Sequence, residues 1–176
     1  MPSIWLQPQG SQEQALQNLI DRLADEHGTV SFRPHLTVCN VPVEVAVLDA
    51  AAAYIKECGI LPLTVAKTAV TGAVITPFRA VFIEVENSPE LREFRQRLRD
   101  ITGAPALIPP HISLFYTLDR ISEEHRPDLD AAVLARIASR CAEAIADKHF
   151  TLARPMVNSS GGSYKGVRDW HALRTL

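Results

Sequence analysis

Hydrophobic and polar positions along the chain switch repeatedly between a period near two and a period near 3.6 residues, and the switches mark out its elements. Residues 3–7 (Ser-Ile-Trp-Leu-Gln) predict a short strand that stops at a turn over Pro8–Gly10. Leu16, Leu19, Ile20 and Leu23 then share one helical face, predicting a helix capped by Ser11, running to about His27 and ended by Gly28. Residues 32–41 are β-rich and alternating, a strand with Pro34 near its start, where a missing N–H is tolerated. An Ala-rich helix is predicted over 43–58, stopped by Gly59, and strands over 61–71 and 79–86. Between the last two, Gly72 to Arg79 has no assignable pattern.

Ser88 followed by Pro89 is a helix start with proline at the first helical position, and that helix should continue to about Thr102 and end at Gly103. A Pro-rich approach (Pro105, Pro109, Pro110) leads into a strand over 111–118. A long helix is predicted over 127–147, then strands near 149–157 and 167–175 joined by the turn Asn-Ser-Ser-Gly-Gly-Ser-Tyr-Lys-Gly.

The order repeats. Helix, histidine strand, helix, strand, strand occupies residues 11–86 and recurs over 89–175. The repeat predicts an α+β fold of two pseudo-symmetric lobes, each with an antiparallel sheet and outer helices, around a central cleft. With 176 residues and no linker-like stretch, residues 1–176 are expected to form one bilobal domain.

Each half carries one strand of the form Pro-His-apolar-Thr/Ser-apolar: Pro34-His35-Leu36-Thr37-Val38 and Pro110-His111-Ile112-Ser113-Leu114. Residues i and i+2 of a strand share a face, so His35 projects with Thr37, and His111 with Ser113. Leu36, Val38, Ile112 and Leu114 then point into the cores. If the two strands face each other, two imidazoles and two hydroxyls surround one volume. Phosphodiester cleavage asks for that set: a base for the attacking water, an acid for the leaving oxygen, and donors for the charge on phosphorus oxygens. A single His-x-Thr is nearly uninformative; two in equivalent positions of a repeat are not.

Composition narrows the partners. Net charge is −2, without the basic excess usual in proteins that grip long nucleic acid, which favours a small anionic ligand. Cys39, Cys58 and Cys141 are scattered and odd in number, so they read as buried thiols of a reducing compartment. Cys39 lies four residues beyond His35, about 13 Å along a strand, too far to share a metal ion with it. No stretch approaches the roughly 20 apolar residues of a membrane span, and the N-terminus lacks a signal-peptide pattern, so a soluble cytoplasmic protein is expected.

The two motifs resemble the signature of the two-histidine (2H) phosphoesterase superfamily. The opening Ser-Ile-Trp-Leu-x-Pro, the Phe-x-Pro-His-Leu-Thr-Val segment and Pro-His-Ile-Ser-Leu-Phe-Tyr are similar to its cyclic phosphodiesterase branch over nearly the whole chain. The resemblance implies a bilobal fold with His35, Thr37, His111 and Ser113 as the catalytic quartet. It also implies Trp5 and Tyr116 as aromatic residues that contact substrate. It further implies hydrolysis of nucleoside 2′,3′-cyclic phosphates or ADP-ribose 1″,2″-cyclic phosphate. The product keeps a 2′-phosphate (a 1″-phosphate for ADP-ribose), with no cofactor and no metal required.

Read from the residues, some of these assignments stay open. Tyr116 is five residues after His111, an odd offset that turns it to the other strand face unless the strand twists or bulges. Trp5 suits a core position as well as a base-stacking one. Arg33, two residues before His35, is a candidate for steering phosphate from the same strand face. Arg92, Arg95 and Arg99 share one face of their helix, with Glu90, Glu93 and Asp100 available as partners, and read as a solvated face rather than an RNA contact. His27 sits at a helix end, where a cation is favoured; His125, His149 and His171 lack the motif and read as surface or rim residues. The leading expectation is an enzyme acting on a small cyclic phosphate. The alternatives are an RNA 2′–5′ ligase-like or RNA-end phosphodiesterase, for which RNA ends are the partner, and a non-catalytic nucleotide or RNA-end binding module.

Overall fold

The structure, a computed structural model, describes residues 2–42, 44–58, 63–105, 108–158, 167 and 170–175. The described elements run β1 (Ser3–Pro8), α1 (Gly10–His27), β2 (Leu36–Asn40), α2 (Val45–Cys58), β3 (Leu63–Thr76), β4 (Arg79–Val85), α3 (Pro89–Thr102), β5 (His111–Phe115), α4 (Ala131–Ala144), β6 (His149–Asn158) and β7 (Ala172–Thr175). This is the α+β architecture that the repeat predicts. Gly59 and the turn over 159–166 lie outside the described residues.

Local chemistry explains most boundaries. Ser88 Oγ accepts the Leu91 N–H at 3.2 Å, Pro89 opens α3, and Gly103 closes it at φ 67°. Asp130 Oδ1 caps α4 through Val133 N at 2.9 Å, which starts that helix later than residue 127. The expected cap by Ser11 is not made. Gln9 holds the N-cap position with no side-chain cap, its amide bonded instead to Gln7 O and Pro8 O, and Ser11 lies inside the first turn. The unassigned stretch after Gly72 is the far end of β3, which turns over Pro77–Phe78 into β4 with Thr76 opposite Arg79.

The strands form one seven-stranded sheet in the order β1-β2-β5-β4-β3-β6-β7, and β1 also pairs with β6. All pairings are antiparallel, and β2 meets β5 only at Leu36 opposite Ile112. The sheet is therefore continuous, and the sequence halves do not each form a sheet of their own as the repeat led one to expect, because strands of the two halves pair with each other. The second histidine strand, β5, completes the β3–β4 hairpin of the first half, while the first histidine strand, β2, joins β1, β6 and β7. The helices cross over in the same way: α4 covers β3 and β4, α3 lies on β2 with α2 against it, and α1 touches β5 and β1. Gly72 of β3 packs directly against α4. A Cβ there would sit 2.7 Å from the Leu134 carbonyl carbon and 3.0 Å from Ala138 Cβ, so no larger residue fits without moving the helix.

Leu36, Val38, Ile112 and Leu114 are fully buried in the main core, as the alternation of the two motifs requires. A smaller cluster (Ile20, Val30, Phe32, Tyr116, Leu118, Val167, with Phe78 and Trp170 against it) forms a separate aromatic floor. Among the described residues, no helix is long and apolar enough to cross a membrane.

Candidate active site

The β2–β5 pairing, with Leu36 opposite Ile112, brings the two histidine motifs side by side at one cavity of about 240 Å³. His35, Thr37, His111 and Ser113 all line it, together with Trp5 and Tyr116. Each imidazole is held the same way. His35 Nδ1 donates to the carbonyl of Arg33 at 2.7 Å, and His111 Nδ1 to that of Pro109 at 3.0 Å. A carbonyl can only accept, so Nδ1 carries a proton in both rings and Nε2 is left as the exchangeable position.

Burial lowers the pKa of both histidines to about 4. Desolvation is the largest cause in each case, and the backbone acceptor opposes it. The two differ in their charged neighbours. His111 is further depressed by Arg79 and Arg95, whereas His35 feels only His111. Trp5 lies face to face with His35, ring centroids 3.5 Å apart at 8°, an arrangement that favours the charged imidazolium. His111 has Phe82 edge-on at 5.6 Å.

Both motif strands carry a register shift just after the hydroxyl residue. On β2, Cys39 faces Ile4 but Thr37 faces Trp5; on β5, Ser113 faces Phe82 but Phe115 faces Val81. Each shift puts one extra residue in the motif strand and reverses the alternation beyond it. That is why Tyr116 lines the cavity despite its odd offset from His111. Asn40, at the same offset of five from His35, lines it as well and is the counterpart that the sequence reading missed.

Trp5 is 2% exposed, with one face on His35 and Trp170 edge-on at 5.8 Å, so it supports the site from beneath. Tyr116 is equally buried, stacked on Phe32 at 3.6 Å, and burial raises its pKa. Ser113 Oγ donates to Phe78 O at 3.0 Å. Arg33 is not on a strand face with His35: residues 31–35 precede β2, and its exposed side chain lines a neighbouring groove with Gln17, Ser31 and His171. His27, instead of being a helix-end cation, is pushed toward the neutral form by burial.

Sequence reasoning also missed Arg79, Phe78 and Trp170 on the cavity wall. Arg79 stacks its guanidinium 4.4 Å over Phe82, and its buried Nε has no hydrogen-bond partner among the described residues. The only signal for it was a cation at the start of the strand that pairs with β5. No group of three or more His, Cys, Asp or Glu side chains among the described residues is placed to hold a metal ion.

The fold and the cavity define a class: an antiparallel α+β protein in which two histidine strands from a repeated unit meet at one cleft. Among solved structures the chain matches the crystal structure of E. coli LigT complexed with phosphate, at a TM-score of 0.55 and 13% identity over 99% of this chain and 96% of that one. At that identity the likeness is one of fold. A scan against protein-family models gives no match, and a search of curated proteins finds no relative.

Proposed function

We propose that this protein is an enzyme that opens a 2′,3′-cyclic phosphate, or a similar small cyclic phosphodiester, by acid–base catalysis between His35 and His111, leaving a 2′-phosphate. The observation that carries the reading is the matched pair of imidazoles, each with Nδ1 tied to the carbonyl two residues before it and Nε2 left to exchange a proton. The phosphate in the LigT structure of the same fold is in keeping with an anionic substrate.

In this scheme a water attacks phosphorus opposite the 3′ oxygen and loses its proton to one Nε2. The 3′ oxygen leaves and takes a proton from the other. His111 suits the base, because Arg79 and Arg95 disfavour its cation. His35 suits the acid, because the Trp5 face favours a cation there. Both rings are neutral in the empty site at pH 7, so the bound anion has to raise the pKa of the acid. Arg79, with its spare Nε–H, and the hydroxyls of Thr37 and Ser113 are the donors for the non-bridging oxygens. Ser113 has to turn its proton away from Phe78 O to serve. Trp170, half-buried at the rim, offers a face for a nucleobase.

The test is incubation with 2′,3′-cyclic AMP and with ADP-ribose cyclic phosphate in excess EDTA, with products separated by chromatography. A 2′-phosphate product from the nucleotide, lost by ~10²–10⁴ in rate in His35→Ala and in His111→Ala, is the expected result. Tight binding without product on long incubation would replace the enzyme by a binding module.

A further inference from the structure

The two histidine motifs share one kind of support. Proline supplies no N–H to a neighbouring strand, so the approach to each motif is anchored through its carbonyls. Before His35, the Arg33 carbonyl takes the imidazole Nδ1–H, and the Phe32 carbonyl accepts Gln17 Nε2 of α1 at 3.2 Å. Before His111, the Pro109 carbonyl takes Nδ1–H, and the Ile108 carbonyl accepts Arg95 Nη2 of α3 at 2.7 Å. The offsets match. Each ring bonds two residues back, and a side chain of the preceding helix bonds three residues back. Gln17 Nε2 also donates to Asp21 Oδ1 at 2.9 Å, and Pro110 O accepts Val85 N at 3.2 Å, so both approaches are tied down further.

The two clamps differ in charge. The α3 face that carries Arg92, Arg95 and Arg99 is not solvated at its centre: Arg95 is 3% exposed and joins no ion pair among the described residues. Burying a guanidinium without a carboxylate is unfavourable, and Gln17 shows that a neutral amide can hold the equivalent carbonyl. We propose that Gln17 and Arg95 are paired positioning residues of the two-histidine site, each fixing its ring through the backbone before it, and that the charge on Arg95 alone helps to assign His111 the role of base. The inference rests on the two-histidine reading of the cavity. Three elements bring charged or titratable groups to His111. Arg79 on β4 and Arg95 on α3 both disfavour its cation. Glu84, opposite it on β4, accepts the Thr71 hydroxyl, and His35, just before β2, shares the cavity.

The experiment measures kcat and KM for 2′,3′-cyclic AMP against pH in wild type, Gln17→Met, Arg95→Met and Arg95→Lys, with NMR titration of the imidazoles in the same proteins. Gln17→Met should lower kcat by about tenfold, with KM within about twofold and both limbs of the profile in place. Arg95→Met should lose as much and also move the acid limb, which reports the base, to higher pH, because a cation that opposes protonation is gone. The titration of His111 should move the same way, and by more than that of His35. Arg95→Lys keeps the charge and should return the limb to its wild-type position. Should Arg95→Met not fold, Arg95→Gln takes its place. Full kcat in Gln17→Met, an unmoved acid limb in Arg95→Met, or a shifted limb that persists in Arg95→Lys would overturn the proposal. If wild type turns over no cyclic phosphate, the two-histidine reading has failed, and the Arg95 clamp is judged by NMR alone. A His111 titration that rises in Arg95→Met and is restored in Arg95→Lys supports it, and an unmoved one refutes it.

Discussion

The indole of Trp5 lies parallel to the imidazole of His35, with the ring centroids 3.5 Å apart, while its own buried Nε1 has no hydrogen-bond partner among the described residues. A flat aromatic face against a histidine stabilises the imidazolium relative to the neutral ring, by about 0.5–2 kcal/mol. Since one pKa unit is about 1.4 kcal/mol, Trp5→Leu should lower the pKa of His35 in the substrate complex by up to about one unit. The alkaline limb of the kcat–pH profile should move to lower pH by that amount. A profile that keeps its limbs in place, with only a uniform loss of rate, would mean that Trp5 has a packing role alone.

The low pKa values of His35 and His111 tie stability to pH. Both imidazoles fall from 6.5 to about 4 on folding, because burial disfavours the charged ring. The unfolded chain therefore binds more protons between those values. The stability contributed by the two neutral rings is complete above pH 6.5 and is lost as pH falls toward 4. Urea unfolding at several pH values should show wild type losing more stability across that window than His35→Gln/His111→Gln, whose carboxylates titrate alike.

The same linkage governs anion binding. Sulfate does not titrate between pH 5 and 8, so any pH dependence of its affinity reports on the protein. An anion in the cavity raises the pKa of both rings, and binding should take up protons. Calorimetry in buffers of different ionisation enthalpy should detect that uptake near pH 6, with affinity rising as pH falls. Proton uptake that persists in His35→Gln/His111→Gln would place the anion elsewhere.

Arg79 is the charge on the cavity wall that stands nearest His111 in its electrostatic effect. Arg79→Ala should slow turnover by about 10²-fold or more through loss of charge stabilisation. It should also let the pKa of His111 rise, which NMR titration of the imidazole can follow. A rate loss with an unmoved His111 titration would show that Arg79 touches substrate without tuning the base.

Gly72→Ala tests the packing of α4 on β3. The added methyl would meet the Leu134 carbonyl and Ala138, backbone and side chain of a helix that cannot yield locally. Overpacking of this kind costs about 1–3 kcal/mol, so the melting temperature should drop by several degrees. An unchanged melting temperature would mean that α4 slides freely on the sheet.

The chemical quartet was legible in one dimension because strand alternation is a local rule. His35 with Thr37, and His111 with Ser113, share a face wherever those strands go, and the apolar residues between them seek the core. Helix α3 was equally plain, since Ser88, Pro89 and Gly103 act on their own backbone neighbours. The sequence by itself thus determined the order of strands and helices, the glycine stops of α1 and α3, and the paired motifs. Tertiary structure alone decided that the second histidine strand, β5, adds to the β3–β4 hairpin and meets β2 at Leu36 opposite Ile112, because strand pairing depends on distant backbone groups and not on neighbours in the chain. It also placed the two strand bulges that aim Asn40 and Tyr116 into the cavity, since a bulge is defined only against the partner strand. Arg79, Trp170 and the buried Arg95 became site residues only when segments far apart in sequence met, and desolvation, which sets the histidine pKa values, is a property of that meeting.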